Sequence, residues 1–327
     1  MKKQGFYYVN LASLLLFFLT GCNSDEQADA GKGEPIRMAT SVERLASTRV
    51  DASSSDITAS NTKIPNGQTV DVFVTASNDD SAIGNFPTEY AVSNSNLTVL
   101  GHSPQYWPQK SVGNIKVFGV KPSGVNTLGY FDVKTEQAYD SEYLDSDLLF
   151  CNQATYTDRT TSVVLPFRHA LSKVIIEVEG TSSSATVTDV EMDCMNVHTH
   201  CVFAKGTATA PITAETKVSV VDDNPVASVY LGKISTQAKY RFACILPPQT
   251  IYKQFVHLVT TLKSGNQGKT YQNMYWTPDE PINLVAGYCY TITLSLKQSL
   301  LTLKNTTITP WTDSGVTLLD KQINVPI

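Results

Sequence analysis

A two-residue period of apolar side chains recurs along this 327-residue chain and constrains its fold more than any other feature. The clearest stretch is 288–296, where every second residue is Tyr, Ile or Leu. Successive side chains of a β-strand point to opposite faces of a sheet, so this period predicts strands with one buried face. Helical spacing is nearly absent apart from one expected helical turn near 141–149, and an all-β fold is therefore predicted. The same period occurs in segments 70–74, 115–118, 174–178, 240–246 and 255–259.

Turn-forming residues separate the predicted strands, for example Pro-Asn-Gly at 65–67 and Pro-Ser-Gly at 122–124. This spacing is typical of β-sandwiches. A polar, threonine-rich stretch at 151–161 lies between two sets of strands. We therefore predict an N-terminal β-sandwich domain over 61–161 and a C-terminal β-sandwich domain over 162–327.

The N-terminus has the pattern of a lipoprotein signal peptide over residues 1–21. Lys2 and Lys3 precede an apolar run at 11–19 that is too short to span a bilayer. The run leads directly to Cys22, and this arrangement resembles the bacterial lipobox, whose cysteine is diacylated and becomes the mature N-terminus. We expect lipidation of Cys22 and attachment to the outer membrane at the cell surface. The alternative is an ordinary signal sequence with an incidental cysteine.

Residues 22–60 are predicted to form a tether or propeptide with at most one strand. The segment is low in aromatic residues and rich in Ser, Thr, Ala and Asp, so it offers little apolar surface to bury. Its polar, acidic start at 23–29 resembles the export signal of surface lipoproteins in Bacteroidetes.

The charge argues against a nucleic-acid-binding protein, and the cysteine content argues against a fold built on a disulfide framework. The net charge is −5 and the chain has no basic cluster that would neutralise phosphates, which argues against a nucleic-acid partner. Five cysteines remain after Cys22, an odd number that defines no disulfide framework and leaves at least one thiol without an intrachain partner. They are Cys151, Cys194, Cys201, Cys244 and Cys289.

The sequence contains one cluster of potential metal ligands and no catalytic pattern. Cys194, His198, His200 and Cys201 are potential zinc or copper ligands, but a strand would point Cys201 away from the two histidines, so only a tight loop could gather all four. We predict instead a loop in which Cys194 and Cys201 are buried or disulfide-bonded. The chain also lacks a Gly-x-Ser-x-Gly nucleophile elbow, and no catalytic, cofactor or metal site is expected.

Seven short segments follow one another along the chain. They are Tyr-Trp-Pro at 106–108, 115–122, Asp-Leu-Leu at 147–149, 165–174, Ile-Leu-Pro-Pro-Gln at 245–249, 284–290 and Ile-Thr-Pro-Trp at 308–311. In this order they resemble segments of the fimbrillin (type V pilin) subunits of Bacteroidales. The resemblance covers most of the mature chain, and two departures are a Gly-Val pair at 119–120 where the family usually has aromatics and a higher cysteine count.

The resemblance implies two tandem transthyretin-like β-sandwich domains in a subunit that polymerises with other fimbrial subunits by strand exchange. In the family a protease trims the N-terminal segment after an arginine, and Arg49 is the best candidate here, with Arg44 and Arg37 behind it. A donor strand would complete an open sheet edge of its neighbour. Its candidate residues lie in the C-terminal tail and alternate on one face: Ile323, Val325 and Ile327. The alternatives are an Arg49 that is an ordinary solvated arginine and a tail that closes its own domain.

Two further features concern the surface. Ser81 lies in an Asp-Ser-Ala tripeptide that resembles the O-glycosylation motif of secreted Bacteroidetes proteins, in a segment expected to be a loop. Trp107, Trp276 and Trp311 would suit stacking against sugars but are more often core residues in β-sandwiches. A surface lipoprotein that binds glycans of host or bacterial origin without polymerising is therefore the alternative to a non-enzymatic fimbrial subunit.

Overall fold

The computed structural model describes residues 33–42, 63–110, 113–125, 129–180, 186–203, 218–220, 226–235, 239–263, 269–297 and 300–311. Within these ranges the chain forms twenty β-strands and one short helix, so the predicted all-β class is confirmed. No helix in the described ranges is both long and apolar enough to cross a membrane.

The first half of the chain builds a barrel and the connection that follows it. Turn residues separate the strands as expected, and the helix covers part of the predicted helical turn. The elements are β1 (Met38–Val42), β2 (Thr69–Ala76), β3 (Thr88–Ser93), β4 (Asn96–Val99), β5 (Ile115–Lys121), β6 (Tyr130–Asp132), β7 (Glu136–Gln137), α1 (Asp140–Asp145), β8 (Leu149–Tyr156) and β9 (Val163–His169).

Seven of these strands close into a barrel in the order β1-β4-β3-β2-β5-β8-β9. β1 completes the closure because it is antiparallel to β4 and parallel to β9. Val72, Val117 and Leu165 are among the inward side chains that share one buried core. Closure gives each of the seven strands a neighbour on both sides. The tandem transthyretin-like arrangement stays a prediction.

The second half of the chain builds one large sheet with two small additions. β12 pairs with β6 and β15 pairs with β18, while β7 joins the large sheet beside β13. The elements are β10 (Ser172–Glu179), β11 (Thr186–His198), β12 (His200–Val202), β13 (Val226–Ser235), β14 (Lys239–Leu246), β15 (Thr250–Ile251), β16 (Val256–Lys263), β17 (Lys269–Trp276), β18 (Ile282–Asn283), β19 (Tyr288–Lys297) and β20 (Leu300–Pro310).

The large sheet has the strand order β17-β16-β11-β13-β14-β10-β19-β20 and folds over at β13. β13 pairs with β11 near Val229 and with β14 near Gly232, so a single strand belongs to both halves of the sheet. Met192, Leu258 and Ile292 are among the side chains from the two halves that pack in one core. This folded sheet is called the sandwich below.

A third apolar cluster joins the barrel to the sandwich. It contains Phe118 from β5, Tyr143 from α1, Ile175 from β10 and Ile245 from β14. The predicted boundary near residue 162 precedes β9, which pairs with β1 and β8 in the barrel, so the chain changes sheet later, after β9. The division into two domains stays a prediction.

The predicted strands lie within β2, β5, β10, β14, β16 and β19, but some are more buried than their period suggested. β2 is buried on both faces from Val70 to Ala76. Val70, Val72 and Val74 face the barrel core, whereas Phe73 belongs to the cluster between barrel and sandwich. The second face is covered because the two halves of the chain pack together, which a local pattern does not report.

Candidate functional site

β1 is the strand that closes the barrel, and it belongs to the segment predicted to be a propeptide. Its parallel register with β9 runs from Met38 beside Val163 to Val42 beside Phe167, whereas it shares a single register pair with β4, Ala39 beside Asn96. Its residues alternate buried and half-buried, and Met38 is 3% exposed. β1 therefore fills a slot between β4 and β9 with one apolar face, much as a separate inserted strand would.

The residues before β1 extend the same contact. The backbone N–H of Ile36 donates to the Gln105 carbonyl at 2.8 Å, and the N–H of Trp107 donates to the Glu34 carbonyl at 2.9 Å. Gly33 lies so close to Trp107 that a Cβ there would stand 2.1 Å from the Trp107 carbonyl oxygen. Residues 33–42 are thus paired along their length, and glycine is required where they approach Trp107.

The slot beneath β1 is lined by the inward side chains of β9. Val163, Leu165 and Phe167 are all buried and belong to the barrel core together with Met38 and Val42. Burial of one aliphatic side chain of this size stabilises a fold by roughly 1.5–3 kcal/mol. Departure of β1 would expose this apolar surface and leave the facing backbone groups of β4 and β9 unpaired, which together define a site for a replacement strand.

The remaining predicted assembly residues flank β1 in the sequence or lie at the end of the chain. Cys22 and Arg49 lie outside the described residues, and so do Ile323, Val325 and Ile327 in the tail. β1 precedes Arg49 and β2 follows it. A cut after Arg49 would therefore separate β1 covalently from the rest of the barrel.

β20 is the edge strand of the sandwich and differs from β1 in its exposure. It pairs with β19, and none of the other described strands pairs with its opposite side. Leu303 lies beside Leu294 and Ile308 beside Tyr290, so both share a face with buried core residues. Leu303 is nevertheless 42% exposed and Ile308 55% exposed. The core-facing side of β20 is therefore open near this edge.

Trp311 fixes the point where the C-terminal tail begins. Its backbone N–H donates to the Gly287 carbonyl at 2.8 Å, and its buried indole stacks on the His169 imidazole at a centroid distance of 3.7 Å. His169 Nδ1 in turn lies 2.8 Å from an Asp147 carboxylate oxygen, and both side chains are buried. The tail thus follows a residue that is packed between barrel and sandwich.

Ser81 lies on the surface of the turn after β2, as expected. Its backbone N–H and hydroxyl both donate to the Asp79 carboxylate, at 3.0 and 2.7 Å. These two hydrogen bonds lower the pKa of Asp79. The side chain is exposed, and its glycosylation stays a prediction.

Cys194 and Cys201, two of the four potential metal ligands in the sequence, lie in different clusters of the structure. Cys194 faces the sandwich core, whereas the Cys201 thiol donates to the Phe131 carbonyl at 3.3 Å in the cluster between barrel and sandwich. Burial raises the pKa of Cys201 to about 12. His200 is paired with Asp132 at 2.6 Å. Both cysteines are buried as predicted, but they lie in strands rather than in a loop, and they are not bonded to each other.

The three tryptophans are buried, so an exposed tryptophan platform is absent. A row of polar and aromatic side chains crosses the outer face of the sandwich instead. Adjacent strands place Tyr230, Asp193, His257 and Tyr275 side by side, and both tyrosines are 46% exposed. His257 Nδ1 lies 2.7 Å from the Asp193 carboxylate, and its ring stacks on Tyr275 at 4.7 Å. Sequence reasoning missed this row because its members come from four separate strands.

Comparison with solved structures finds this fold elsewhere. A candidate cell adhesion protein of Bacteroides uniformis superposes with a TM-score of 0.59 at 15% identity, over 85% of this chain and 98% of the other. A second, from Bacteroides ovatus, gives a TM-score of 0.56 at 18% identity, over 85% of this chain and 98% of the other. These identities are low, so the likeness concerns the fold.

Comparison of sequences extends this result. No curated protein sequence matches the chain. The model of the fimbrillin-like family matches residues 48–311, a range that begins after β1 and beside Arg49.

Proposed function

Because the chain belongs to the fimbrillin-like family, we propose that it is a structural subunit of cell-surface fimbriae that contributes to adhesion and has no catalytic role. Its partners are other fimbrial subunits, in a homopolymer or heteropolymer. The predicted lipid on Cys22 delivers the precursor to the outer membrane, and a host or bacterial surface molecule is the expected adhesive ligand.

The position of β1 is the observation that supports assembly by strand exchange. Cleavage after Arg49 would release residues 22–49, which include the lipidated cysteine and β1. The slot between β4 and β9 would then present unpaired backbone groups beside the apolar side chains of β9. A strand from a neighbouring subunit would restore the hydrogen bonds and fill the core.

The C-terminal tail has the pattern that such a donor needs. β1 and the residue two before it place Ile36, Met38, Thr40 and Val42 on the buried face. In the tail, Ile323, Val325 and Ile327 repeat the same two-residue alternation. The tail follows Trp311, whose side chain is buried and whose backbone N–H is hydrogen-bonded to the Gly287 carbonyl, so the donor strand would leave its own subunit from a packed position.

Exchange explains how a closed barrel can polymerise only after processing. Before cleavage, β1 is part of the same chain and occupies its slot at a high effective concentration, which a strand from another molecule cannot match. After cleavage, β1 competes as a separate peptide. Loss of the lipid with residues 22–49 would identify a polymerising stalk or tip subunit, whereas retention of Cys22 would identify an anchor subunit.

The first test is processing of the full precursor in its own membrane. Arg49→Ala should leave the N-terminus at Cys22 and abolish the ladder of SDS-resistant polymers, whereas Arg37→Ala and Arg44→Ala should behave as wild type. N-terminal sequencing gives the position of the N-terminus, and electrophoresis of unheated samples shows whether the polymer ladder is present. Wild-type polymers that retain β1 would contradict the proposal.

The second test concerns the donor strand. Deletion of residues 316–327 should give a folded monomer that is processed but does not polymerise, judged by circular dichroism and gel filtration. The same deleted subunit should still accept the tail of an added wild-type subunit and cap its chains. A deletion that unfolds the protein would show that the tail belongs to its own domain and would remove the basis for the proposal.

A second candidate function, glycan binding without polymerisation, is favoured by the row on the outer face of the sandwich. Tyr230 and Tyr275 lie three strands apart, about 14 Å at ordinary strand spacing. Their exposed rings suit the apolar faces of two sugar units. Both ring nitrogens of His257 are already paired, with the Asp193 carboxylate at 2.7 Å and with the Asn273 side-chain oxygen at 3.0 Å. The amide nitrogen of the exposed Asn273 is the group of this network that can donate to a sugar hydroxyl.

A glycan array with purified full-length protein tests this candidate. Tyr230→Ala and Tyr275→Ala should each weaken binding at least about fivefold, since stacking contributes about 1–3 kcal/mol in comparable aromatic sites. Tyr252→Ala, which removes an exposed tyrosine outside the row, is the matched control. Equal binding by all variants would exclude the row as a glycan site.

A further inference from the structure

Two cysteines that no predicted function uses lie side by side in the sandwich core. Cys194 is in β11 and Cys244 is in β14, the two strands that flank β13 where the sheet folds over. Their sulfur atoms are 3.9 Å apart, and both side chains are 0% exposed. Each thiol has the other as its hydrogen-bonding partner.

Cys151 and Cys201 have different surroundings. Cys151 belongs to the barrel core and its thiol lies 3.5 Å from the Asn152 carbonyl oxygen, while the Cys201 thiol donates to the Phe131 carbonyl. A thiol that points at a carbonyl has a partner of its own. Cys194 and Cys244 are distinguished by facing another sulfur.

We propose that Cys194 and Cys244 form a disulfide bond in the exported protein and covalently link the two halves of the sandwich. Export past the cytoplasm exposes thiols to an environment in which disulfides form and persist. The sulfur atoms must approach from 3.9 Å to about 2.0 Å, so each sulfur moves by about 1 Å.

The oxidant in this step is a thiol-disulfide exchange partner, either a protein or a small-molecule disulfide. The thiolate of one cysteine attacks that disulfide, forms a mixed disulfide and releases one thiol of the oxidant. The thiolate of the second cysteine then attacks the sulfur of the first and releases the oxidant's other thiol. The protein loses two electrons and two protons, and the oxidant's disulfide is reduced to two thiols.

The buried position of the pair determines when the step occurs. Burial raises the pKa of the Cys194 thiol, so the folded sandwich holds little of the reactive thiolate. Exchange therefore takes place before the two halves of the sheet close over β13. Once formed, the bond is shielded from reductants by the same core.

The linkage joins residues that are 50 positions apart and adds a covalent connection where β13 crosses from one half of the sheet to the other. A subunit in a surface fibre transmits pulling forces, and a cross-link at this corner opposes separation of β11 from β14. The proposal rests on export but not on strand exchange.

The thiol count of protein recovered from the cell envelope tests the proposal. Alkylation in denaturant without reductant should modify three of the five cysteines after Cys22, and prior reduction should raise this to five. Peptide mass spectrometry should find one linked pair, Cys194 with Cys244, at 2 Da below the mass of the reduced peptides. Five modified cysteines without reduction, or a different pair, would overturn it.

Variants separate the bond from ordinary packing. Cys194→Ser and Cys244→Ser should each lower the melting temperature of the oxidised protein by about 10 °C, and the double variant should lower it no further. Cys289→Ser is the control and should leave the linked pair intact. If a variant does not fold, the wild-type thiol count still decides, and the tail-deleted monomer gives the same count whether or not polymers form.

Discussion

β1 closes the barrel and β20 lies at the edge of the sandwich, and the two strands differ in length, burial and pairing. β1 is short, buried on one face and paired on both sides. β20 is eleven residues long and mostly exposed, and β19 alone among the described strands pairs with it. The barrel is therefore closed, whereas the sandwich, as far as the described strands show, ends in an open edge.

If the subunit polymerises as proposed, this difference would keep its precursor monomeric. An open edge invites pairing with other chains, and natural proteins oppose this with charges, bulges and proline. β20 has all three: Lys304 pairs with Glu179, a register shift lies beside Leu294, and Pro310 ends the strand. The barrel slot has no such protection, because β1 itself covers it.

The largest expected effect concerns the packing beneath β1. Phe167→Ala should lower the free energy of unfolding by about 3–5 kcal/mol, since it removes a buried ring from the closed barrel. Urea denaturation of the full chain measures this. Arg168→Ala, on the outer face of β9, should cost less than about 1 kcal/mol.

Phe167 also explains why position 119 is a glycine, whereas the fimbrillin family usually has an aromatic residue there. A Cβ at Gly119 would stand 3.0 Å from the end of the Phe167 ring, so the phenylalanine occupies space that an aromatic at position 119 would need. Gly119→Phe should therefore destabilise wild type by overpacking yet recover stability in the Phe167→Ala background. Additive effects would show that the two positions do not share this space.

The second prediction weakens β1 itself. Met38→Asp would bury an unpaired charge in the barrel core, whereas Ala39→Asp places the same charge on the half-buried outer side of the strand. After cleavage at Arg49, the Met38→Asp propeptide should dissociate about 100-fold faster, a difference of about 2.7 kcal/mol. Release can be followed by gel filtration, and equal release by both variants would show that β1 does not depend on its inward face.

The third prediction concerns pH and the barrel strand β2. Burial raises the pKa of Asp71 from 3.8, although its Oδ2 accepts the Gly124 N–H at 2.6 Å and that bond opposes the rise. Because the pKa of Asp71 is higher in the folded than in the unfolded state, protonation of Asp71 stabilises the folded protein. This stabilisation is fully present below pH 3.8 and is lost as the pH rises through the folded pKa.

Asp71→Asn keeps an acceptor for Gly124 but removes this titration. As the pH rises above about 4, the free energy of unfolding should fall less for Asp71→Asn than for wild type. The two free energies should come to differ by an amount on the order of 1 kcal/mol. Chemical denaturation at several pH values measures the difference. The exposed Asp279→Asn is the control, and parallel curves for Asp71→Asn and wild type would contradict the assignment.

The smallest effect is expected at the open edge of the sandwich. Ile308→Lys should change the free energy of unfolding of the monomer by no more than about 0.5 kcal/mol, because the side chain is already 55% exposed. Leu301→Lys on the same strand replaces a buried residue and should cost several kcal/mol, about 2–5. A large cost at Ile308 would mean that another segment covers this edge.

Local pattern predicted the strands well and their surroundings poorly. Segments such as 70–74 and 288–296 form strands because a two-residue period suits a sheet, whatever covers it. Burial of Phe73 on the second face of β2 depends on the sandwich, which is distant in sequence. The row of Tyr230, Asp193, His257 and Tyr275 arises from strand register, and register is set by partners that no local period identifies.

The sequence alone determined the strand content and the order of segments that resembles the fimbrillins, and it alone carries the prediction of a lipidated Cys22, because each of these depends on residues close together in the chain. Only the tertiary structure decided that β1 closes a barrel, that Cys194 meets Cys244 and that the edge of β20 is open. These are pairings between distant segments, and their energy comes from burial and hydrogen bonds that exist only once the chain has folded.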